Sequence, residues 1–163
     1  MNQDLIVDKE QTPISLAVEY SALDSSRPPA VICDLDGTLA LITDRDPYDA
    51  EFCINDQLNV PVADLIKAEN KNGAAIVLVS GRSESSRSNT IAWLKKYDIP
   101  FQGLFMRPVE DFRKDAIVKR EIYDQFIDSV YSIKYVLDDR DQVVDMWRNV
   151  LKLPCFQVNY GTF

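Results

Sequence analysis

The sequence predicts an α/β domain built on a central parallel sheet, and three observations carry that expectation. Short apolar runs recur at 30–33, 74–79, 101–106, 133–137 and 155–158. Amphipathic or polar stretches long enough for crossover helices separate most of them. Several of the runs end abruptly in charged or hydroxyl groups, as strands do at the ligand-facing edge of an open α/β sheet.

The first run is the one around which the rest is arranged. Ala30 to Cys33 reads as a short buried strand ending in Asp34-Leu35-Asp36-Gly37-Thr38. Period-two geometry puts Asp34 and Asp36 on one side of an extended backbone, so their charges face one spot. Like charges so close repel unless a cation or a functional demand holds them there. Gly37 lets the chain turn, and Thr38 adds a hydroxyl and a start for the next segment. Residues 41–59 are polar and irregular, a loop or small flap over the strand end. Pro61 to Asn72 carries Val62, Leu65 and Ile66 at helical spacing, with Pro61 suited to a first turn and Gly73 to a stop.

Ala74 to Val79 is an unbroken apolar run, the signature of a fully buried strand, and it ends at Ser80-Gly81-Arg82. A polar turn over 83–89 leads into a helix carrying Ile91, Trp93, Leu94 and Tyr97, which Pro100 ends. Phe101 to Met106 is a third strand with Arg107 at its end. Asp111 to Val130 reads as a charged amphipathic helix with Ile117, Val118, Ile122, Phe126 and Ile127 facing inward. Ile133 to Leu137 is a fourth strand, ending in Asp138-Asp139-Arg140. Val143 to Val150 is a helix, and Cys155 to Val158 a last strand. Right-handed crossovers are expected between the parallel strands.

Composition narrows the chemistry. At 163 residues, 46% apolar and 27% charged, the chain is long enough for one domain with a sizeable core. The expected division is an N-terminal arm and linker over 1–29, ending in Ser25-Ser26-Arg27-Pro28-Pro29, and a domain over 30–163. Pro13 to Tyr20 is too short a pattern to assign to helix or strand. No apolar run approaches the length of about 18 residues that marks a membrane span. No basic-then-apolar leader opens the sequence. Three cysteines without a C-x-x-C argue against a disulfide framework. The expected location is cytoplasmic. Histidine is absent, so acid–base work falls to Asp, Glu, Lys, Tyr or water, and histidine-based zinc sites and Ser-His triads are excluded. A net charge of −8 argues against long-range attraction to nucleic acid but leaves room for a local basic rim.

In a parallel sheet the strand ends converge on one crevice. Here they bring Asp34 and Asp36, then Ser80, then Arg107 with Lys119 following, then Asp138 and Asp139. Oxygen ligands on separate segments suit a hard, partly hydrated cation, Mg²⁺. An ionised aspartate, with an ordinary pKa of about 3.9, is a usable nucleophile at neutral pH. Phosphoryl transfer needs little beyond charge neutralisation and in-line positioning.

Asp34-Leu35-Asp36-Gly37-Thr38 resembles motif I (D-x-D-G-T) of the haloacid-dehalogenase (HAD) superfamily, and Ser80, Lys119 and Asp138-Asp139 fall where that family has its other three motifs. The resemblance covers roughly residues 30–163. It implies a HAD-like Rossmannoid three-layer sandwich with a minimal cap. A narrower resemblance, to the 3′-phosphatase domain of bacteriophage polynucleotide kinase-phosphatase, is carried by Arg45-Asp46-Pro47-Tyr48-Asp49, Val79-Ser80-Gly81-Arg82, Arg113-Lys114-Asp115 with Lys119, and the stretch 138–148. The last is far more specific than motif I.

By resemblance, Asp34 is the nucleophile that becomes an aspartyl-phosphate, and Asp36 is the acid and then the base. Asp34, the Asp36 backbone carbonyl and Asp139 would hold Mg²⁺, with Asp138 close by or behind them. Ser80 and Lys119 would hold the transferring phosphoryl oxygens. Thr38, Arg45, Arg82 and Arg107 would line the substrate site, a task for which arginine forks suit better than lysine. No G-x-x-x-x-G-K-[ST] occurs, so ATP-dependent 5′-phosphorylation is not expected of this chain. The expected activity is removal of 3′-phosphate from DNA or RNA ends, with a separate kinase or ligase partner. A nucleotidase acting on free nucleotides is the alternative, and a non-catalytic module binding phosphorylated ends is a third reading.

Other readings of the same residues fail or are plain. A calcium loop starting at Asp34 would have Leu39 at its sixth position and Arg45 at its twelfth, where Gly and Glu are needed. A cysteine phosphatase starting at Cys33 lacks the following Arg. Cys33, Trp93 and Trp147 are expected in the core.

Overall fold

An apolar run leaving no polar side chain to solvate can be buried on both faces only at the centre of a sheet, and that is where the 30–33 run lies. The computed structural model describes Tyr20, residues 22–46 and residues 49–161. The elements in chain order are β1 (Pro29–Cys33), β2 (Ala40–Leu41), β3 (Gln57–Leu58), α1 (Val60–Lys71), β4 (Ala75–Ser83), α2 (Arg87–Lys96), β5 (Gly103–Arg107), α3 (Asp115–Ile122), β6 (Ser132–Arg140), α4 (Asp141–Asp145) and β7 (Cys155–Gly161). Five of the strands form one parallel sheet in the order β5-β4-β1-β6-β7. β2 and β3 pair antiparallel as a small flap after β1, the minimal cap that was expected.

Strand alternation builds two cores. Ala30 and Ile32 join Val77, Val79, Val118, Ile122, Val144 and Trp147 on one face. Val31 and Cys33 join Ile76, Leu78, Val62, Ile66, Trp93 and Leu94 on the other. Helices α3 and α4 therefore cover one face and α1 and α2 the opposite one, giving three layers. The chain runs outward from β1 to β4 and β5, then returns to the far side of β1 for β6 and β7. Strand order reverses at β1, and the C-terminal edge at such a point is where open α/β sheets bind ligands.

Local chemistry sets the ends of the elements. Pro61 occupies the first turn of α1. Beyond its end Gly73 takes φ +94°, with the Gly73 and Ala74 amides returning to the carbonyls of Asn70 and Glu69. α3 and α4 each run on into one wide turn, Tyr123–Ile127 and Met146–Val150. The helix expected over 111–130 starts only at Asp115, and Ile117 and Phe126, expected inward, are about half exposed. The wide turn inserts a residue into the helical phase, so Tyr123 and Ile127 face the core and Phe126 lies at its edge, stacked on Phe105 at 5.4 Å. Strands β4 and β6 continue several residues past their apolar runs, carrying Ser80 to Ser83 and Asp138 to Arg140.

All three cysteines are buried and unpaired. Among the described residues no helix is long and apolar enough to cross a membrane. The Pro13 to Tyr20 pattern lies outside the described residues apart from Tyr20. The linker at 22–28 is tied to the domain: the Asp24 amide donates to Ser132 Oγ at 2.8 Å, the Ser132 amide to the Pro28 carbonyl at 3.0 Å, and the Arg27 guanidinium reaches the Asp128 carbonyl.

Leu78 is fully buried at the centre of β4. Leu78→Ala should cost about 2–5 kcal/mol, read as a lower urea midpoint at unchanged slope; a loss under about 1 kcal/mol would contradict this packing.

Candidate active site

β1 gives way at Asp34 to a turn, in which the amides of Thr38, Leu39 and Ala40 all return to the Leu35 carbonyl. Asp34 and Asp36 therefore reach one cleft through a turn rather than through strand alternation, and they meet different partners. Asp34 is buried, its Oδ1 2.7 Å from Lys119 Nζ. Asp36 is partly exposed, and its carboxylate is gripped by Arg82 at 2.6–3.1 Å and by Arg45 at 2.7 Å.

The first cluster is acidic around one ammonium. Lys119, buried on α3, contacts Asp34, Asp138 Oδ2 at 2.9 Å and Asp115 Oδ2 at 3.7 Å. Asp138 accepts from the amides of Asp139 and Arg140 on one oxygen, and from Lys119 and Trp147 Nε1 on the other. Its lone pairs face protein donors, so it braces the cluster. Asp139 is different: its carboxylate accepts from Thr38 Oγ1 at a long 3.5 Å. Carboxylate oxygens of Asp34, Asp138 and Asp139 lie within 4.8 Å of one another.

The second cluster pairs two acids with two arginines. Asp56 accepts from Arg45 at 2.7 and 2.9 Å and from Arg82 at 3.0 Å, while both arginines also hold Asp36. Ser80 is fully buried, and its Oγ accepts from the Arg82 amide at 3.2 Å. Arg107 donates to the carbonyls of Gly81, Asp111 and Arg113 and to Asp115 Oδ1. Between these groups lies a cleft of about 500 Å³, lined by Asp34, Asp36, Arg82, Arg107, Asp139 and Arg140 among others.

Sequence comparison assigns this arrangement to a family. A model of the polynucleotide kinase PNKP phosphatase domain matches residues 28–163. The chain belongs to this family. It is a HAD-like phosphatase, a phosphoric monoester hydrolase. A protein of Autographa californica nuclear polyhedrosis virus, described as a bifunctional polynucleotide kinase/RNA ligase, is 40% identical over 138 residues, which are 83% of this chain and 20% of the viral one. A chain in the structure of a Pnkp1/Rnl/Hen1 RNA repair complex superposes with a TM-score of 0.88 at 49% identity, covering 91% of this chain and 48% of that one. A second structure of a Pnkp1/Rnl/Hen1 complex gives 0.89 at 45% identity, covering all of this chain and 58% of its counterpart. This chain thus spans a fifth of the viral relative and about half of the structural ones.

Within this PNKP-type phosphatase domain, the expected residues meet at one sheet edge, but several turn their polar atoms to protein partners rather than into the cleft. Thr38 is fully buried beside Asp139, and its carbonyl is held by Asn59 Nδ2 at 2.7 Å. Arg45 and Arg82 orient Asp36, and Arg107 organises the β5–α3 loop. Two functional acids had no role assigned from sequence. Asp115 carried a usable signal, standing one turn before Lys119 on a helix face. Asp56 carried none, because only the fold of the polar 41–59 stretch brings it to the arginines. The indoles were expected in the core and are there, yet Trp93 Nε1 also holds the Asp56 carbonyl at 2.9 Å and Trp147 Nε1 holds Asp138.

Electrostatics ask for a cation. Burial pushes the Asp34 carboxyl well above its usual range; Lys119 offsets this only in part, and Asp138 and Asp139 push it further up. Burial and the neighbouring Asp138 push Asp139 up to about 6. Burial disfavours the Lys119 ammonium, but Asp138, Asp34 and Asp115 outweigh it and hold its pKa well above the ordinary value. Three clustered carboxylates with one ammonium leave an excess of negative charge in an all-oxygen donor set, which fits a hard divalent cation.

Two predictions follow from the site's geometry. Gly37 has φ +88°, and a Cβ there would lie 2.2 Å from Asp139 Oδ2. Gly37→Ala should lower turnover about 100-fold or more by displacing that carboxylate, while circular dichroism shows the fold retained. The raised acids also set a sign for pH. A carboxyl whose folded-state pKa is raised stabilises the fold below its unfolded value, and that contribution is lost as pH rises through the folded one. In EDTA, Tm should rise as pH falls from 7 to about 5.5, and saturating divalent cation should flatten or reverse the trend. A Tm that falls with pH in EDTA would contradict the crowding of these acids.

Proposed function

We propose that this domain removes 3′-phosphate from polynucleotide ends, RNA ends foremost, using Mg²⁺ and an aspartyl-phosphate intermediate. The observation that carries the reading is the Asp34–Lys119–Asp138–Asp139 cluster opening into a cleft of nucleotide size rimmed by arginines and Lys114. The RNA preference is supported by relatives described as an RNA ligase and as parts of RNA repair complexes. Those descriptions also support co-operation with separate kinase and ligase activities.

The chain's residues divide the work. Asp34 Oδ attacks phosphorus, the P–O3′ bond breaks, and Asp36 gives the leaving oxygen its proton. Water then attacks the aspartyl-phosphate, Asp36 takes its proton, and inorganic phosphate leaves. Arg45 and Arg82 hold the Asp36 carboxylate at 2.6–3.1 Å and so fix where its oxygens lie at the cleft. Lys119 and Ser80 would offset the charge that develops on the phosphoryl oxygens. Mg²⁺, held by Asp34, Asp139 and the Asp36 backbone carbonyl with Asp138 behind them, would neutralise phosphate charge and keep Asp34 and Asp139 ionised.

Phosphate release from 3′-phosphorylated RNA and DNA oligonucleotides, 5′-phosphorylated oligonucleotides and free mononucleotides, each with Mg²⁺ or EDTA, tests the proposal. It expects Mg²⁺-dependent turnover of 3′-ends above all. Turnover of mononucleotides alone would favour the nucleotidase reading, and inactivity on every phosphomonoester would favour a binding module. Asp34→Asn should lose at least about a thousandfold in kcat with the fold intact; retained activity would identify a different nucleophile.

A further inference from the structure

The loop between β5 and α3 is pinned on both sides of a single exposed ring. Arg107 Nη1 donates to the carbonyl of Asp111 at 3.0 Å and to that of Arg113 at 2.8 Å, the two neighbours of Phe112. The Asp111 amide returns to the Pro108 carbonyl, and Arg113 clamps the carboxylates of Asp111 and Glu121 at 2.7–3.2 Å. The backbone is thereby curled around a guanidinium that is itself anchored to Gly81 and Asp115. Phe112 stands out from it 93% exposed, on the wall of the catalytic cleft. Among the described residues no ring stacks on Phe112 and no side chain pairs with the Lys114 ammonium, which lines the same cleft.

An isolated exposed apolar residue on a surface needs no explanation. This one differs in two respects: its loop is held by charge-assisted hydrogen bonds, and it faces the cleft that receives the phosphoester. A rigidly presented ring is a platform for a planar partner, since every nucleobase offers a π-face. Preorganisation lowers the ordering cost of such a contact.

We propose that Phe112 stacks on the base of the nucleotide bearing the phosphate, with Lys114 meeting the adjoining phosphodiester. The domain would therefore select unpaired ends that carry a base over base-free ends. The proposal rests on the polynucleotide-end reading above and adds the group that recognises the substrate.

The test compares wild type, Phe112→Ala and Phe112→Trp on two single-stranded 3′-phosphorylated oligonucleotides, one with a normal terminal base and one abasic at its terminal nucleotide. Phe112→Ala should raise KM for the base-bearing end about tenfold more than for the abasic end, with the loss confined to KM. Phe112→Trp should restore most of it. Anisotropy titrations of the base-bearing oligonucleotide in an Asp34→Asn background should show the same order in Kd. Equal penalties on both ends, or no penalty on either, would overturn the proposal. If the wild type hydrolyses only free nucleotides, the polynucleotide reading falls by itself. Phe112 is then judged by the same base-dependent difference between a nucleoside 3′-phosphate and a base-free pentose phosphate.

Discussion

The site depends on one buried ammonium. Lys119 is almost wholly removed from water, an expensive position for a charge unless partners replace its hydration. Asp34 and Asp138 are those partners, and they come from β1 and β6, neighbours in the sheet, while Lys119 comes from α3 on one face. The ion pairs therefore fix a helix against two neighbouring strands at the point where strand order reverses. They also place the Asp34 carboxylate, which cannot leave Lys119 without stranding a charge in the interior. The same cluster gathers three carboxylates around one ammonium, a donor set that suits a hard divalent cation.

A second balance of charge positions the flap. Asp36 lies on the turn after β1, Arg82 at the end of β4, and Arg45 and Asp56 on the segment between β2 and β3. Two acids and two arginines satisfy each other, and Trp93 extends the network into the core beneath α2 through the Asp56 carbonyl. The flap has only a two-residue ladder of its own, so it takes its place from these contacts. The result keeps Asp36 at the cleft with its carboxylate oriented by guanidinium forks, as the acid–base role proposed for it requires.

Local chemistry made much of this legible in the sequence. Unbroken apolar runs identified the buried strands, and the polar residues ending them identified the edge where the site forms. What could not be read is where polar side chains face once the chain stops being regular. Period-two geometry put Asp34 and Asp36 at one spot, but the turn after Cys33 sends one to a lysine and the other to arginines. Arg82 and Arg107 were legible as cations at strand ends. Their donors, however, are turned toward Asp56, Asp115 and backbone carbonyls that only tertiary folding assembles. Asp56 had no periodic context at all. Phe126 was misplaced because a wide helical turn over 123–127 shifts the phase, which a 3.6-residue repeat cannot anticipate, while Ile117 lies on the regular turn before it, beside the buried Val118.

Departures from regular pairing are also what build the cleft. The β4–β5 register shifts between Ser80 and Ser83, and the β6–β7 register between Asp138 and Arg140. A uniform ladder would send alternate residues to opposite faces of the sheet. On the β6 side the shift frees the consecutive Asp138 and Asp139 to serve the site together, and on the β4 side Ser80 lies beneath Arg82, two residues on. In each pair the deeper residue braces through hydrogen bonds, and the outer one reaches the cleft wall. The net charge of −8 is compatible with a phosphate-handling site for the same reason. The field that a ligand meets is set by the groups lining the crevice, and Arg82, Arg107, Arg140 and Lys114 are among them.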